Sequence, residues 1–198
     1  MVENVHVVVI PGLGNEIQKH TWASDRWRKS GIIPHVFDAK WKTEEKGFNQ
    51  KLDEALELVD VLIAAGKKVS LIGNSAGSSL AINMLGERRD KIHRVVVNCG
   101  RVRTGDWPWF TFDQATASSP SFKESVLGSE RVISKLSAVE RKKIVTLRPI
   151  FDEVVPPFTV LIKGARNEIV PSVEHVLSIG LNMTIFDKRI INFILEGR

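Results

Sequence analysis

The stretch that most constrains this chain is Val69-Ser70-Leu71-Ile72-Gly73-Asn74-Ser75-Ala76-Gly77. A short apolar run ends in Gly-x-Ser-x-Gly, and a helix-like run from Ser78 to Leu85 follows at once. Strand, sharp turn, helix is the context that gives this motif its meaning. The turn forces the serine into a strained backbone conformation, so small residues must flank it, and Gly73 and Gly77 supply them. The hydroxyl of Ser75 then stands at the end of a sheet. Behind it lies the first turn of a helix, with unpaired N–H groups and a partial positive charge.

The chain around this turn has 198 residues, enough for a single domain with a real core. Its net charge of +5 comes from scattered Lys and Arg, with local concentrations at Glu87–Lys91 and Arg141–Lys143. A nucleic-acid footprint would need clustering with aromatics inside a known module, and none is visible, so no nucleic-acid partner is expected. Cys99 is the only cysteine, which excludes a disulfide framework and a multi-thiolate metal site. It ends the apolar run Arg94–Cys99 and reads as a buried strand residue. No apolar run reaches membrane-spanning length. No basic segment leads into a long apolar stretch at the start. The expectation is a cytoplasmic protein without stable membrane insertion.

The order of elements follows from periodicity. Val5–Ile10 is a continuous β-branched run stopped by Pro11-Gly12, the pattern of a buried parallel strand. Pro11-Gly12-Leu13-Gly14-Asn15 is a tight loop whose backbone can approach a ligand, or a plain strand-to-helix turn. Thr21–Lys29 reads as a short helix, and Ile32–Phe37 as a second strand, where Pro34 implies an edge or irregular position. Leu52, Ala55, Leu56, Val59, Leu62 and Ile63 recur at helical spacing, which predicts an amphipathic helix over Gln50–Ala65. Val69–Gly73, the helix Ala76–Leu85 and the strand Arg94–Cys99 continue the alternation. Strands alternating with helices predict an α/β fold: a three-layer αβα sandwich around a mostly parallel sheet of about six strands. Residues 1–198 form one domain, with no linker and no internal repeat.

Between Gly100 and Lys143 the regularity lapses. Arg101–Phe110 is an aromatic-rich loop at the carboxyl end of a strand, the edge where open α/β sheets bind ligands. Two amphipathic segments follow, about Ser119–Leu127 and Ser129–Leu136. They suit either a small helical insertion, a cap or lid within 101–143, or a crossover helix pair covering the sheet.

An alcohol needs a base to take its proton, and the base needs an acid to orient it and offset its charge. For a serine on this turn the chain order is Ser, then Asp or Glu, then His. Of His6, His20, His35, His93 and His175, only His175 lies late in the chain and downstream of a plausible acid. His6, His35 and His93 fall within or at the start of strands. His20 follows the Pro11–Gly14 loop and is a weaker candidate for the site. Two registers then place the acid. If Ile144–Ile150 is the fifth strand and Glu168–Ser172 the sixth, Asp152 and His175 fall in the two following loops and complete Ser75–His175–Asp152. If Phe158–Lys163 is the fifth strand, the acid position falls on Asn167 or Glu168, and the loop after the next strand holds Leu181 and Asn182, with no histidine. An oxyanion hole needs two N–H donors. The residue after the serine, Ala76, offers one, and the Pro11–Gly14 loop the other, through Leu13.

Taken together, the Pro11–Gly14 loop, the Gly73–Gly77 turn and the tail from Asp152 to His175 resemble the α/β-hydrolase fold in the compact form of small lipases and esterases. The tail is the most specific part: Asp152 followed by Val154-Val155-Pro156, then Gly164-Ala165-Arg166-Asn167, a short strand and His175 is similar to the acid-to-histidine segment of compact bacterial lipases. The resemblance favours the first register. It implies that Ser75 is acylated, that His175 is base and then acid, and that Asp152 orients it, with no cofactor and no metal. Two departures stand out: Pro11-Gly12 replaces the frequent His-Gly of the first loop, and Glu174-His175 the frequent Gly-His. The Gly100–Lys143 region does not match a compact lipase.

The expected function is a serine hydrolase cleaving a carboxylic ester or thioester, with a small-molecule substrate lined by Trp22, Trp107, Trp109 and Phe110. Packing in the core or a cap accounts for these aromatics equally well. The alternative, from the second register, is a non-catalytic binding protein on a hydrolase fold. Peptidase or amidase action through the same residues is not separable by sequence.

Overall fold

A computed structural model describes residues 5–41 and 47–196. The chain opens with β1 (Val5–Ile10), α1 (Ile17–Asp25), a 3-10 turn at Arg26–Ser30 and β2 (Ile32–Val36). It continues through α2 (Phe48–Ala64), β3 (Lys68–Asn74), α3 (Gly77–Glu87) and β4 (Ile92–Asn98). After a long loop come α4 (Phe112–Thr116), α5 (Pro120–Lys135), α6 (Ala138–Arg141) and β5 (Ile144–Phe151). Then follow α7 (Pro157–Val160), β6 (Arg166–Val173), α8 (His175–Thr184) and α9 (Lys188–Leu195).

The strands form one sheet in the order β2-β1-β3-β4-β5-β6, and every neighbouring pair is parallel. Alternation of side chains explains why the strands read as unbroken apolar runs. In β1, Val5, Val7 and Val9 enter one core with Ala23 of α1, Met183 of α8 and Ile190, Phe193 and Ile194 of α9. Val8 and Ile10 enter the other, with Val59 of α2, Leu80 of α3 and Phe122 and Val126 of α5. A strand covered on both faces must be apolar on both. The result is the three-layer α/β/α sandwich expected.

Strand order decides where a site can form. The chain starts in the sheet at β1, runs out to β2, then returns past β1 to β3 and proceeds the other way. The connections leaving β1 and β3 therefore go to opposite faces and leave a crevice at the carboxyl ends of these two strands. The Pro11–Gly14 loop leaves β1 there, and the Gly73–Gly77 turn leaves β3.

Several expectations need adjustment. The two segments Ser119–Leu127 and Ser129–Leu136 are one helix, α5. The Ser119 hydroxyl caps it, accepting the Phe122 N–H at 3.3 Å, and Pro120 sits in the first turn, where no N–H is needed. Gly128 does not break it, because Asn83 of α3 packs where a side chain would stand. This helix packs mainly against α3 and also meets α2, with Phe122, Val126 and Ile133 in the core they share; it is the crossover from β4 to β5. The first helix starts at Ile17 rather than Thr21 and gives way to the 3-10 turn.

At the end of the chain, the first of the two registers holds. Ile144–Phe151 pairs with β4, and Arg166–Val173 pairs with it in turn. The rival segment Phe158–Lys163 begins in α7 and forms no strand. Asn167, which that register put at the acid position, instead serves the chain turn: its Oδ1 accepts from Thr146 Oγ1 at 2.8 Å and from the Ile162 N–H at 3.0 Å. The two outer strands, β2 and β6, each carry a proline, Pro34 and Pro171.

Candidate active site

Ser75 sits on the turn between β3 and α3 with φ of 51°, a left-handed conformation costly for a residue with a side chain. Its N–H donates to the Asn98 carbonyl of β4 at 3.0 Å, which fixes the turn against the neighbouring strand. The turn also presses against the end of β1. A Cβ at Gly77 would lie 2.2 Å from the Ile10 carbonyl oxygen, so no larger residue fits.

The structure brings Ser75, His175 and Asp152 together. His175 Nε2 lies 2.8 Å from Ser75 Oγ, and its Nδ1 lies 2.8 Å from Asp152 Oδ2. The imidazole and the carboxylate are both buried, at 6% and 4% side-chain exposure. Asp152 stands just past β5, and its other oxygen, Oδ1, accepts from the N–H groups of Val154 and Val155 at 2.9 and 2.8 Å. Those two bonds leave Oδ2 pointing at the ring. Beyond β6, His175 is the first residue of α8. Its backbone N–H donates to both oxygens of Glu153, at 3.2 and 3.1 Å.

Glu174 carries φ of 75° and caps α8, its carboxylate accepting from Val176 and Leu177 N–H at 3.1 and 2.6 Å. These N–H groups hold it below the usual carboxylate range. A helix N-terminus disfavours a positive charge. Glu153 and Glu174 put two acidic side chains at that terminus, where an imidazolium on His175 would form.

The Pro11–Gly14 loop lies directly on Ser75. A Cβ at Gly12 would stand 2.8 Å from Ser75 Cβ and 3.3 Å from its Oγ. The Asn15 N–H closes the loop on the Gly12 carbonyl at 3.0 Å, and the buried indole of Trp41 donates to the Pro11 carbonyl at 3.1 Å. Among the described residues, neither the Leu13 nor the Ala76 backbone N–H donates to a protein acceptor.

Sequence reasoning missed a chain of buried asparagines beneath the site. Asn98 Nδ2 donates to Asn74 Oδ1 at 2.7 Å, and Asn182 Nδ2 donates to Asn98 Oδ1 at 2.7 Å. All three are fully buried. One signal was available: Asn98 interrupts the apolar run of β4. Cys99, beside them, is buried as expected, and burial pushes its thiol pKa up.

A cavity of about 460 Å³ opens above Ser75 and His175, between the Pro11–Glu16 loop, α1 and α8. Trp22 lines it. Trp107, Trp109 and Phe110 do not: Trp107 packs against Trp109 and Phe158 at ring separations of 5.4 and 6.4 Å and pairs its backbone with Phe110. The physical reason is that their loop is tied to the α7 region. The Val102 N–H donates to the Thr159 carbonyl at 3.1 Å, and the Arg103 guanidinium reaches the carbonyls of Phe158 and Leu161. His20 lines the cavity but bonds through Nδ1 to the Glu16 carbonyl at 2.8 Å rather than to Ser75. Among the described residues there is no group of three His, Cys, Asp or Glu placed to hold a metal ion. No described helix is long and apolar enough to cross a membrane.

No protein-family model matches the chain. None of the curated proteins matches it significantly in sequence. Solved structures do match. The monoacylglycerol lipase of Paleococcus ferrophilus superposes with a TM-score of 0.71 at 15% identity, over 97% of this chain and 96% of that one. Est1E from Butyrivibrio proteoclasticus gives 0.67 at 13%, over 98% and 88%. The enol-lactonase from Burkholderia xenovorans gives 0.65 at 14%, over 98% and 92%. The chain has the α/β-hydrolase fold. The Gly73–Gly77 turn joins strand β3 to helix α3, and Ser75, Asp152 and His175 follow one another in that order along the chain. Of the two departures from the compact lipases, Glu174 acts here as a helix cap.

Proposed function

We propose that the protein is a serine hydrolase that cleaves a carboxylic ester or thioester through Ser75, His175 and Asp152. One observation carries this reading: a single buried imidazole has one nitrogen 2.8 Å from a serine hydroxyl on a strained turn and the other 2.8 Å from a carboxylate. The carboxylate holds Nδ1 protonated, so Nε2 presents a lone pair to the hydroxyl.

In the first half-reaction Ser75 Oγ attacks the substrate carbonyl carbon while His175 Nε2 takes its proton. The carbonyl π electrons move to oxygen, and the Leu13 and Ala76 N–H groups receive the oxyanion. Collapse breaks the bond to the alcohol or thiol, which leaves with the proton from His175, and the acyl group stays on Ser75. Water then repeats the sequence, with His175 as base, and releases the acid. Asp152 offsets the charge of the imidazolium throughout. The lipase, esterase and lactonase among the structural neighbours support the reaction class.

A fluorophosphonate label tests the proposal. The expected result is one adduct on Ser75, absent in Ser75→Ala and strongly reduced in His175→Ala. Full labelling of His175→Ala would remove His175 from its role. A folded wild-type protein that takes no label would favour a binding protein on this fold. A screen of p-nitrophenyl esters against acyl-CoA thioesters separates the two leaving-group classes.

A further inference from the structure

Helix α8 has two unlike faces. His175, Ser178, Asn182 and Met183 are buried against the rest of the protein. Val176, Ile179, Gly180, Met183 and Thr184 line the cavity. Their spacing of three, four, seven and eight residues from Val176 is one face of a helix. An amphipathic helix normally buries its apolar stripe; here the stripe runs from Met183, which is part of the core, past Ile179, which packs against it, to Val176, which is 64% exposed and borders open space.

Gly180 sharpens the point. Glycine inside a helix lowers stability relative to alanine. Such a glycine usually marks a place where a neighbouring part of the protein comes too close for a Cβ. At Gly180 a Cβ would meet nothing within 4 Å. The protein's own packing does not require the glycine, and the space it leaves belongs to the cavity beside Ser75. Trp22 of α1 and Leu13 of the loop after β1 line the same cavity.

We infer that the groove between α1 and α8 is an acyl-chain subsite, with Gly180 setting the length of chain accepted, so that the substrate is an ester or thioester of an extended, unbranched acyl group. The inference rests on the reaction proposed for Ser75. The acyl carbon bonds to Ser75 Oγ, and the chain runs from there along Val176, Ile179, Gly180 and Met183. Volume supports an extended group: about 460 Å³ lies within the range of sites that enclose a whole small ligand.

The test uses two fluorophosphonates, one methyl and one decyl, with labelling rates at Ser75 followed by intact mass. In Gly180→Phe the ratio of decyl to methyl rates falls roughly tenfold or more, the scale of a lost hydrophobic subsite. Gly180→Ala, which a helix favours, moves the ratio the same way by less, and covers the case in which the larger variant does not fold. An unchanged ratio in both variants, with the wild type labelled normally, overturns the subsite and leaves the serine chemistry standing. A wild type that reacts with neither probe overturns the serine chemistry and the subsite with it.

Discussion

Asn182 on α8 donates a hydrogen bond to Asn98 on β4 at 2.7 Å, and so ties the helix that begins with His175 to the strand that holds the Ser75 turn. Asn98 in turn donates to Asn74, the residue before the serine. The separation of Ser75 and His175 is therefore fixed from below, by amides, as well as by their own contact. Buried amides joined in this way select one packing arrangement over its neighbours, although the two ends of the chain, Asn74 Nδ2 and Asn182 Oδ1, have no protein partner.

Asn98→Ala removes the middle of that chain. It strands Asn74 Oδ1 without a partner and leaves Asn182 Nδ2 only the Cys99 sulfur at 3.7 Å, which costs about 1–3 kcal/mol. Urea unfolding measures the loss. Hydrolysis of a p-nitrophenyl ester is expected to fall further than the folded fraction does, because α8 loses its register against β4. Activity that simply tracks the folded fraction would limit the chain to a role in stability.

Asp152→Asn is expected to fold normally. An asparagine oxygen still accepts the Val154 and Val155 N–H groups that Asp152 Oδ1 binds now. Its amide then faces Nδ1 of His175 as a donor, which moves the ring proton to Nε2 and blocks proton transfer from Ser75. The expected loss in kcat is roughly 10³- to 10⁴-fold. Steady-state kinetics beside a thermal melt separate this from misfolding.

Gly12→Ala places a methyl carbon 2.8 Å from Ser75 Cβ, closer than such contacts occur. The loop is anchored by Trp41 through Pro11, so it moves away only by giving up that bond. Ester hydrolysis and fluorophosphonate labelling are both expected to drop sharply, with the sheet and its far-UV circular dichroism intact. Wild-type labelling rates in this variant would remove the loop from the oxyanion site.

His93 gives a prediction for pH. Burial, with Lys68 and Arg94 nearby, lowers its pKa from 6.5 to about 4, and a ring N–H donates to the Ile194 carbonyl of α9 at 3.1 Å. The unfolded chain then binds a proton on this group that the folded chain does not between about pH 4 and 6.5. Stability therefore rises with pH across that window and is lost as pH falls through it. Since the ring is only partly buried, solvent screening reduces the size of the effect. His93→Gln is expected to flatten the difference in urea midpoint between pH 4.5 and pH 7; an unchanged difference would assign the acid sensitivity to other groups.

Much of this is legible in the sequence. The β-branched runs at Val5–Ile10, Val69–Gly73 and Arg94–Cys99 declare a sheet covered on both faces, because only buried parallel strands dispense with polar alternation. Gly-x-Ser-x-Gly after such a run declares the turn. The order of Ser75, Asp152 and His175 is readable, but the sheet register that joins them is not: Phe158–Lys163 has strand-like composition, yet Pro156 and Pro157 start α7 instead. The aromatic loop Trp107–Phe110 leaves the carboxyl end of a strand, which in an open α/β sheet is the ligand-binding edge. Periodicity does not say which way such a loop leans, and here hydrogen bonds to Phe158, Thr159 and Leu161 turn it toward α7. Trp41 and Asn182 left no pattern, since each acts through bonds to residues far away in the chain.

The prolines of the two outer strands have a consequence for solution behaviour. An open sheet offers unpaired N–H and C=O groups along each border, a template on which another chain can add a strand and start aggregation. On β6 that border is flanked by exposed apolar side chains, Ile169 at 53% and Val173 at 54%. Pro171 stands between them, without an N–H to offer, and Pro34 does the same on β2. Both borders are thereby made poor templates, which lets the molecule keep an apolar, open groove beside Ser75 without also inviting its own copies onto the sheet.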